Sequence, residues 1–189
     1  MQLKNLSVAK KIWGLLLGVM ALTLLAGLAM TTYISRLEAV ERVEVQDYDN
    51  RIRQAVQWRG VTDTAISHVV LGAMSSEEAL STYAQRKTQE GIAAASALQQ
   101  AMEQELTSPQ GRQQLEKIAQ ARAKVLEVTA ALGKLRAAGD GVQARSLLEA
   151  QLLPAVSVYN QAQTDLVSLQ ERMRDQSLAE GQQAREAAM

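Results

Sequence analysis

IWGLLLGVMALTLLAGLAMTTYI, residues 12–34, holds no charged side chain. As a helix rising about 1.5 Å per residue it reaches about 35 Å, enough to cross a bilayer core of roughly 30 Å. Trp13 and Tyr33 stand near its ends, where amphipathic rings favour the membrane–water interface. Lys4, Lys10 and Lys11 precede it and no acid does. That asymmetry predicts a cytoplasmic tail over residues 1–11, a transmembrane helix over 12–34 and an extracytoplasmic domain over 35–189. The competing reading is a cleaved signal peptide. Its apolar run is usually about 7–15 residues and ends in an A-x-A-like site. This run is longer, and Gly27-Leu28-Ala29 matches such a site poorly. Gly14-x-x-x-Gly18 offers a small-residue surface on which two such helices can pair.

Composition predicts that the outer part is helical too. The chain has no Phe, no Cys and two Pro, and is rich in Ala, Leu, Gln, Glu and Arg, which are strong helix formers apart from context. Aromatics are 3%, so long helices with narrow Ala/Leu seams fit better than a large globular core. Zero net charge gives no support to nucleic-acid binding. One His and no close cluster of His, Cys, Asp and Glu argue against a metal centre, and no cofactor is implied. No nucleophile–base pair or glycine-rich phosphate loop is evident, so an enzyme is not expected.

No turn signal interrupts the first helix until Gly72-Ala73-Met74-Ser75-Ser76, which predicts helix over 35–74. Its apolar seam reads Val45, Tyr48, Ile52, Ala55, Thr62, Ile66, Val69 and Ala73, with Arg59 as the break. Ser75 as N-cap and Glu78 as capping-box partner open a second helix over about 76–106, whose seam includes Lys87 and Gly91. Ser108 and Pro109 open a third over 109–138, with Leu115, Ile118, Arg122, Val125, Thr129 and Leu132 on its seam. Ala138-Gly139-Asp140-Gly141 closes it, Gly suiting the left-handed position after a helix. Helix lengths favour a break at Pro154: a short cap helix over 142–152, then a fourth helix over 154–189 returning to the membrane. Its seam is Tyr159, Ala162, Leu166, Leu169 and Met173. The expected fold is all-α, a membrane-anchored antiparallel four-helix bundle whose first helix continues the transmembrane helix. The chain reads as if cut just before a second span.

Leu106-Thr107-Ser108-Pro109-Gln110-Gly111-Arg112, Ala137-Ala138-Gly139-Asp140, Leu152-Leu153-Pro154 and Tyr159 occur in order along the chain. With Leu3-Lys4-Asn5-Leu6-Ser7-Val8-Ala9-Lys10-Lys11 before the span, this pattern resembles the four-helix-bundle sensor domain of bacterial methyl-accepting chemotaxis proteins. The resemblance covers nearly the whole chain. It implies a periplasmic, dimeric receptor domain on the bacterial inner membrane that binds small solutes, often organic acids or amino acids, for chemotaxis and signal transduction. A second span, a HAMP linker and a signalling coiled coil normally follow in that family. Many members carry Arg-x-x-Tyr on the third helix; here Arg122 stands at the Arg and Val125 at the Tyr.

Arg59, Lys87 and Arg122 are the candidate ligand-binding cations. A seam position faces other helices, where an unpaired charge is costly. No acid occupies a seam position near them, so two guanidinium forks and an ammonium suit a carboxylate. The alternative is that each pairs with an acid on a neighbouring helix or extends its head to water. Rise per residue puts Arg59 and Arg122 at about 35 Å above the membrane, Lys87 at about 44 Å, and Tyr159 near 50 Å with His68 and Tyr83. Tyr159 either gives its hydroxyl to the ligand or serves as a core aromatic. His68 lies off the seam, where an exposed or dimer-face position is expected. Two other function classes share this pattern: the sensor module of a histidine kinase, and a ligand-free structural bundle.

Overall fold

In the computed structural model the described residues are 8–188, and they are helical apart from short turns, with no strand among them. The expected tail through residue 7, with Lys4, lies outside the described residues. The elements are α1 (Val8–Met74), α2 (Glu78–Glu105), α3 (Pro109–Ala137), α4 (Gly141–Leu147), a π-helical turn (Leu148–Leu152) and α5 (Leu153–Ala188). The chain divides into two compact units, Met1–Val45 with Gln176–Met189, and Gln46–Asp175.

In the first unit, Leu16–Tyr33 of α1 is long and apolar enough to cross a membrane, and none of it is buried. Trp13 and Tyr33 flank it, 65% and 57% exposed.

In the second unit the core is built from residues three and four apart on each helix. Ala55, Trp58, Thr62, Ala65 and Ala73 turn inward from α1, and Ala84, Thr88, Ala95 and Met102 from α2. Leu115, Ile118, Val125, Val128 and Leu132 do so from α3. Ala144, Leu148, Leu152, Tyr159, Ala162 and Leu166 complete it. Hydrogen bonds fix the neighbours. Asp49 meets Arg174, Arg59 meets Thr164, Thr62 meets Gln163 and Asp63 meets Asn160. The α3 side chain Gln114 donates to the Ala162 carbonyl at 2.7 Å inside the core. Between α1 and α2, a Cβ on Gly91 would stand 2.6 Å from the Ala65 Cβ, so the missing side chain is what lets these helices approach.

The turns repeat the sequence logic with two corrections. Ser108 caps α3 by accepting from the Gly111 N–H at 3.1 Å, with Pro109 at the first helical position. Gly139 adopts φ +76°. The Asp140 N–H reaches the Leu135 carbonyl and the Gly139 N–H reaches that of Arg136, the Schellman pattern. Asp140 then caps α4 by accepting from the Gln143 N–H at 3.0 Å.

The capping box expected at Ser75 and Glu78 does not form. Glu77 is the N-cap residue without a side-chain cap, and Ser75 Oγ accepts from the Glu77 N–H instead. Serine's short side chain satisfies a nearer donor in the turn, so the helix begins two residues later than expected.

Pro154 does not end a helix either. The chain stays helical from Gly141 to Ala188, so the expected cap segment, here α4 and the π turn, runs into α5 without a break. The Leu153 N–H donates five residues back, to the Leu148 carbonyl, in the π turn. That wider turn directly precedes the proline, which has no N–H to offer and would otherwise crowd the carbonyl four residues back.

Candidate functional site

The three cations differ in burial: Arg59 is exposed, which corrects the seam reading there, while Lys87 and Arg122 are both half-buried. Trp58 is fully buried and Arg59 is exposed one residue further on. Arg59 donates to Thr164 Oγ1 at 3.0 Å and lies 3.9 Å from Asp63. Thr88 is buried where Lys87 was expected. Lys87 bonds Glu90 at 2.6 Å and holds that carboxyl below its ordinary pKa, chiefly through the hydrogen bond. On α1 the inward place falls one residue earlier than expected, on the large indole of Trp58, which packs where a charged head would be costly.

Arg122 keeps its place, half-buried on α3. Its guanidinium donates to Gln99 Oε1 at 2.5 Å, to Ser96 Oγ at 2.6 Å and to the Ile92 carbonyl at 3.3 Å, all on α2. Among the described residues no acid forms an ion pair with it. Arg122 and Tyr159 line one narrow void of about 40 Å³, together with Thr62, Gly91 and Val125.

Tyr159 is 3% exposed, and its hydroxyl is buried without a hydrogen-bond partner. Burial pushes its pKa above the ordinary phenol value. Thr62, Arg122 and Trp58 are near enough to pull the other way, yet neither Thr62 nor Trp58 completes a hydrogen bond to the hydroxyl. The sequence reading set Tyr159 about 15 Å above Arg122. It did so by starting the last helix at Pro154. With the helix running from Gly141, the top of that leg is 13 residues earlier, and Tyr159 descends by about 20 Å.

A larger groove of about 810 Å³, lined by residues of α1, α2 and α3, lies beside the void. Val69, Thr88, Ile92, Leu126 and Thr129 line both. Lys134, Arg136, Glu78 and His68 lie along the groove. His68 is half-buried and packs edge-on against Tyr83, ring centres 6.0 Å apart, rather than standing free on the surface. Arg136 donates to the Ser75 carbonyl just past the end of α1, where a cation complements the helix dipole.

The sequence reading missed Trp58 and Arg136, and gave Thr62 a place on the seam without a part in the site. Gln163 is 1% exposed; its Nε2 donates to Thr62 Oγ1 at 3.2 Å, while its Oε1 and the Trp58 Nε1 are buried without partners. The signal for Trp58 was its place next to Ala55 and Thr62 at helical spacing. Nothing in composition marked Gln163. A guanidinium and a buried phenol come together beside a confined space whose wall is otherwise apolar, and the Trp58 indole N–H is buried near that phenol. No protein-family model matches the chain, and no curated protein matches it.

Proposed function

We propose that this chain is the ligand-sensing region of a transmembrane receptor of the chemoreceptor kind, taking a small anionic solute such as an organic acid. The observation that carries the reading is Arg122, a half-buried cation held by neutral groups and lining a void with the unpartnered Tyr159 hydroxyl. The proposed architecture is an antiparallel four-helix bundle in which α4, the π turn and α5 form the last leg. It is supported by partner numbers that fall on one helix as they rise on the other, from Asp49–Arg174 to Asp63–Asn160. The proposed setting is a bacterial inner membrane, with a homodimer of the extracytoplasmic part. Leu16–Tyr33 supports the membrane anchor by its length and composition.

The test uses the full chain in lipid nanodiscs, titrated calorimetrically with a panel of carboxylic acids. Arg122→Leu should leave the free protein's urea unfolding as it is or strengthen it, because the charge is not ion-paired. The same change should weaken acid binding about tenfold to a hundredfold, the worth of roughly 1.5–3 kcal/mol for a charge-assisted hydrogen bond. Unchanged affinity, or a stability loss of about 3–5 kcal/mol, identifies a structural arginine. The second reading, a ligand-free structural bundle, is favoured by the local pairing of Arg59 with Asp63 and of Lys87 with Glu90. It requires that no acid in the panel bind saturably.

A further inference from the structure

We infer that the fold has a weak joint built into it: the middle of α5, Tyr159–Gln170, opens to water before α3 loses its own packing. The inference stands on side-chain packing and does not rest on the anion-binding reading above.

A buried polar atom without a hydrogen-bond partner has given up water and gained nothing in return, and few such atoms survive in folded proteins. Among the described residues eight side-chain atoms are in that state, and five of them belong to α5. They are the Tyr159 hydroxyl, Asn160 Oδ1, Gln163 Oε1 and both amide atoms of Gln170. A sixth is the indole Nε1 of Trp58 on α1, beside Tyr159. The single one on α3 is Arg136 Nε, at the far end of that helix. The unmet demand is therefore concentrated on one leg and on the α1 residue next to it.

Gln170 is the extreme case. It is 0% exposed, and neither end of its amide finds a partner. Gln163 lies about two turns earlier on the same face and donates to Thr62 Oγ1 of α1 at 3.2 Å. Carried on through those turns, the antiparallel register brings Gln170 level with Ala55, a buried methyl with no hydrogen bond to offer. Apolar packing over this stretch is thin. Of the buried residues between 159 and 170, only Ala162 and Leu166 are wholly apolar. Over an equal length α3 buries Leu115, Ile118 and Val125, and its buried amide, Gln114, is paired at 2.7 Å. The outer ties of α5 to α1, Arg59 to Thr164 and Asp63 to Asn160, are exposed, where water competes for each bond. Local opening takes the least free energy where buried apolar contact is sparse. Here opening also returns the amides, the phenol and the indole to water.

Native-state hydrogen exchange on the full chain in lipid nanodiscs, read by mass spectrometry, tests this. Residues 159–170 and 115–126 begin equally far from the starts of α5 and α3, so end fraying does not bias the comparison. After correction for intrinsic rates, the α5 stretch should exchange at least tenfold faster than the α3 stretch. Gln170→Met keeps the length of the side chain and removes its amide. It should slow exchange over 159–170 at least fivefold and leave 115–126 as it was. Gln170→Leu repeats the test should the methionine variant fail to fold. Equal protection of the two stretches in the wild-type chain overturns the inference. So does unchanged or faster α5 exchange in a folded Gln170 variant. Failure of both variants to fold overturns it as well, since the amide is then one that the fold needs.

Discussion

Tyr159 shows what a single buried hydroxyl does to an otherwise apolar position. Its ring belongs to the buried core that also holds Leu152, Ala162 and Leu166, and its oxygen is left without a partner. An unsatisfied buried polar atom costs about 1–3 kcal/mol, so Tyr159→Phe should be neutral or stabilising in the free protein. The pH dependence has a definite sign. The folded pKa is raised by burial, so the folded state holds its proton where the unfolded phenol, at about 10, has begun to lose it. This contribution is complete below pH 10 and is lost as pH rises toward the folded value. Urea unfolding of wild type and Tyr159→Phe at pH 8 and pH 11 checks it: wild type should lose more stability between the two. An equal loss would mean the phenol titrates as if exposed. The tyrosine itself was legible as a core position from its spacing to Ala162 and Leu166. Its neighbour across the void was not, because that depended on the height of the helix rather than on its face.

At the scale of elements, the turns separate what sequence signals decide from what they only permit. Ser108 has the expected cap geometry and Asp140, not expected as a cap, has the same one, each accepting from an N–H three residues on. Alanine at either should cost about 1 kcal/mol of stability, within a range of about 0.5–2. Ser75 also reads as a cap, with Glu78 three residues later, yet its hydroxyl serves the Glu77 N–H inside the turn. Ser75→Ala should therefore cost less than either, and the three variants compared by thermal melting test that ranking. Should Ser75→Ala prove the most damaging, the turn has been misassigned. Pro154 carries the same lesson with a larger consequence. A proline inside a helical pattern signals a break, since it lacks a donor and crowds the preceding turn. One π turn over Leu148–Leu152 removes that conflict, and the last leg runs on from Gly141. The helical face survives either way: Tyr159, Ala162 and Leu166 are buried as their spacing predicts. What changes is axial register, and axial register decides which residues of α1, α3 and α5 meet. Periodicity fixes faces well and heights poorly, which is why Arg122 was found on its seam while its partnership with Tyr159 was not.

For the whole molecule, the decisive imbalance is between two kinds of apolar surface. In Gln46–Asp175 the exposed large side chains are scattered, Val56, Val142 and Val158 among them, while Trp58, Met102, Ile118, Leu152 and Leu166 are at or near 0% exposed. In Leu16–Tyr33 they are not: Leu17, Leu22, Leu25 and Leu28 are 53%, 71%, 66% and 63% exposed. Contiguous exposed apolar surface of that extent is rare on a soluble monomer, where patches seldom pass a few hundred Å². Leu and Val there contribute about −0.3 to −0.6 kcal/mol each at the centre of a membrane helix, and no charged residue opposes them. Lipid is the cover whose chemistry fits, and the proposed direction of insertion rests on the lysines before the span. Lys4, Lys10 and Lys11 resist transfer across the membrane, and no acid precedes the span to share their side. The chain should therefore resist extraction from bacterial membranes by alkaline carbonate. An alkaline phosphatase fused after Met189 should be active, since that enzyme works only outside the cytoplasm. Replacing all three lysines by glutamine should lower the active fraction by removing the orienting charge. A well-expressed but inactive wild-type fusion would reverse the topology, and would place Arg122 on the cytoplasmic side, where the ligand would have to be a metabolite of the cell itself.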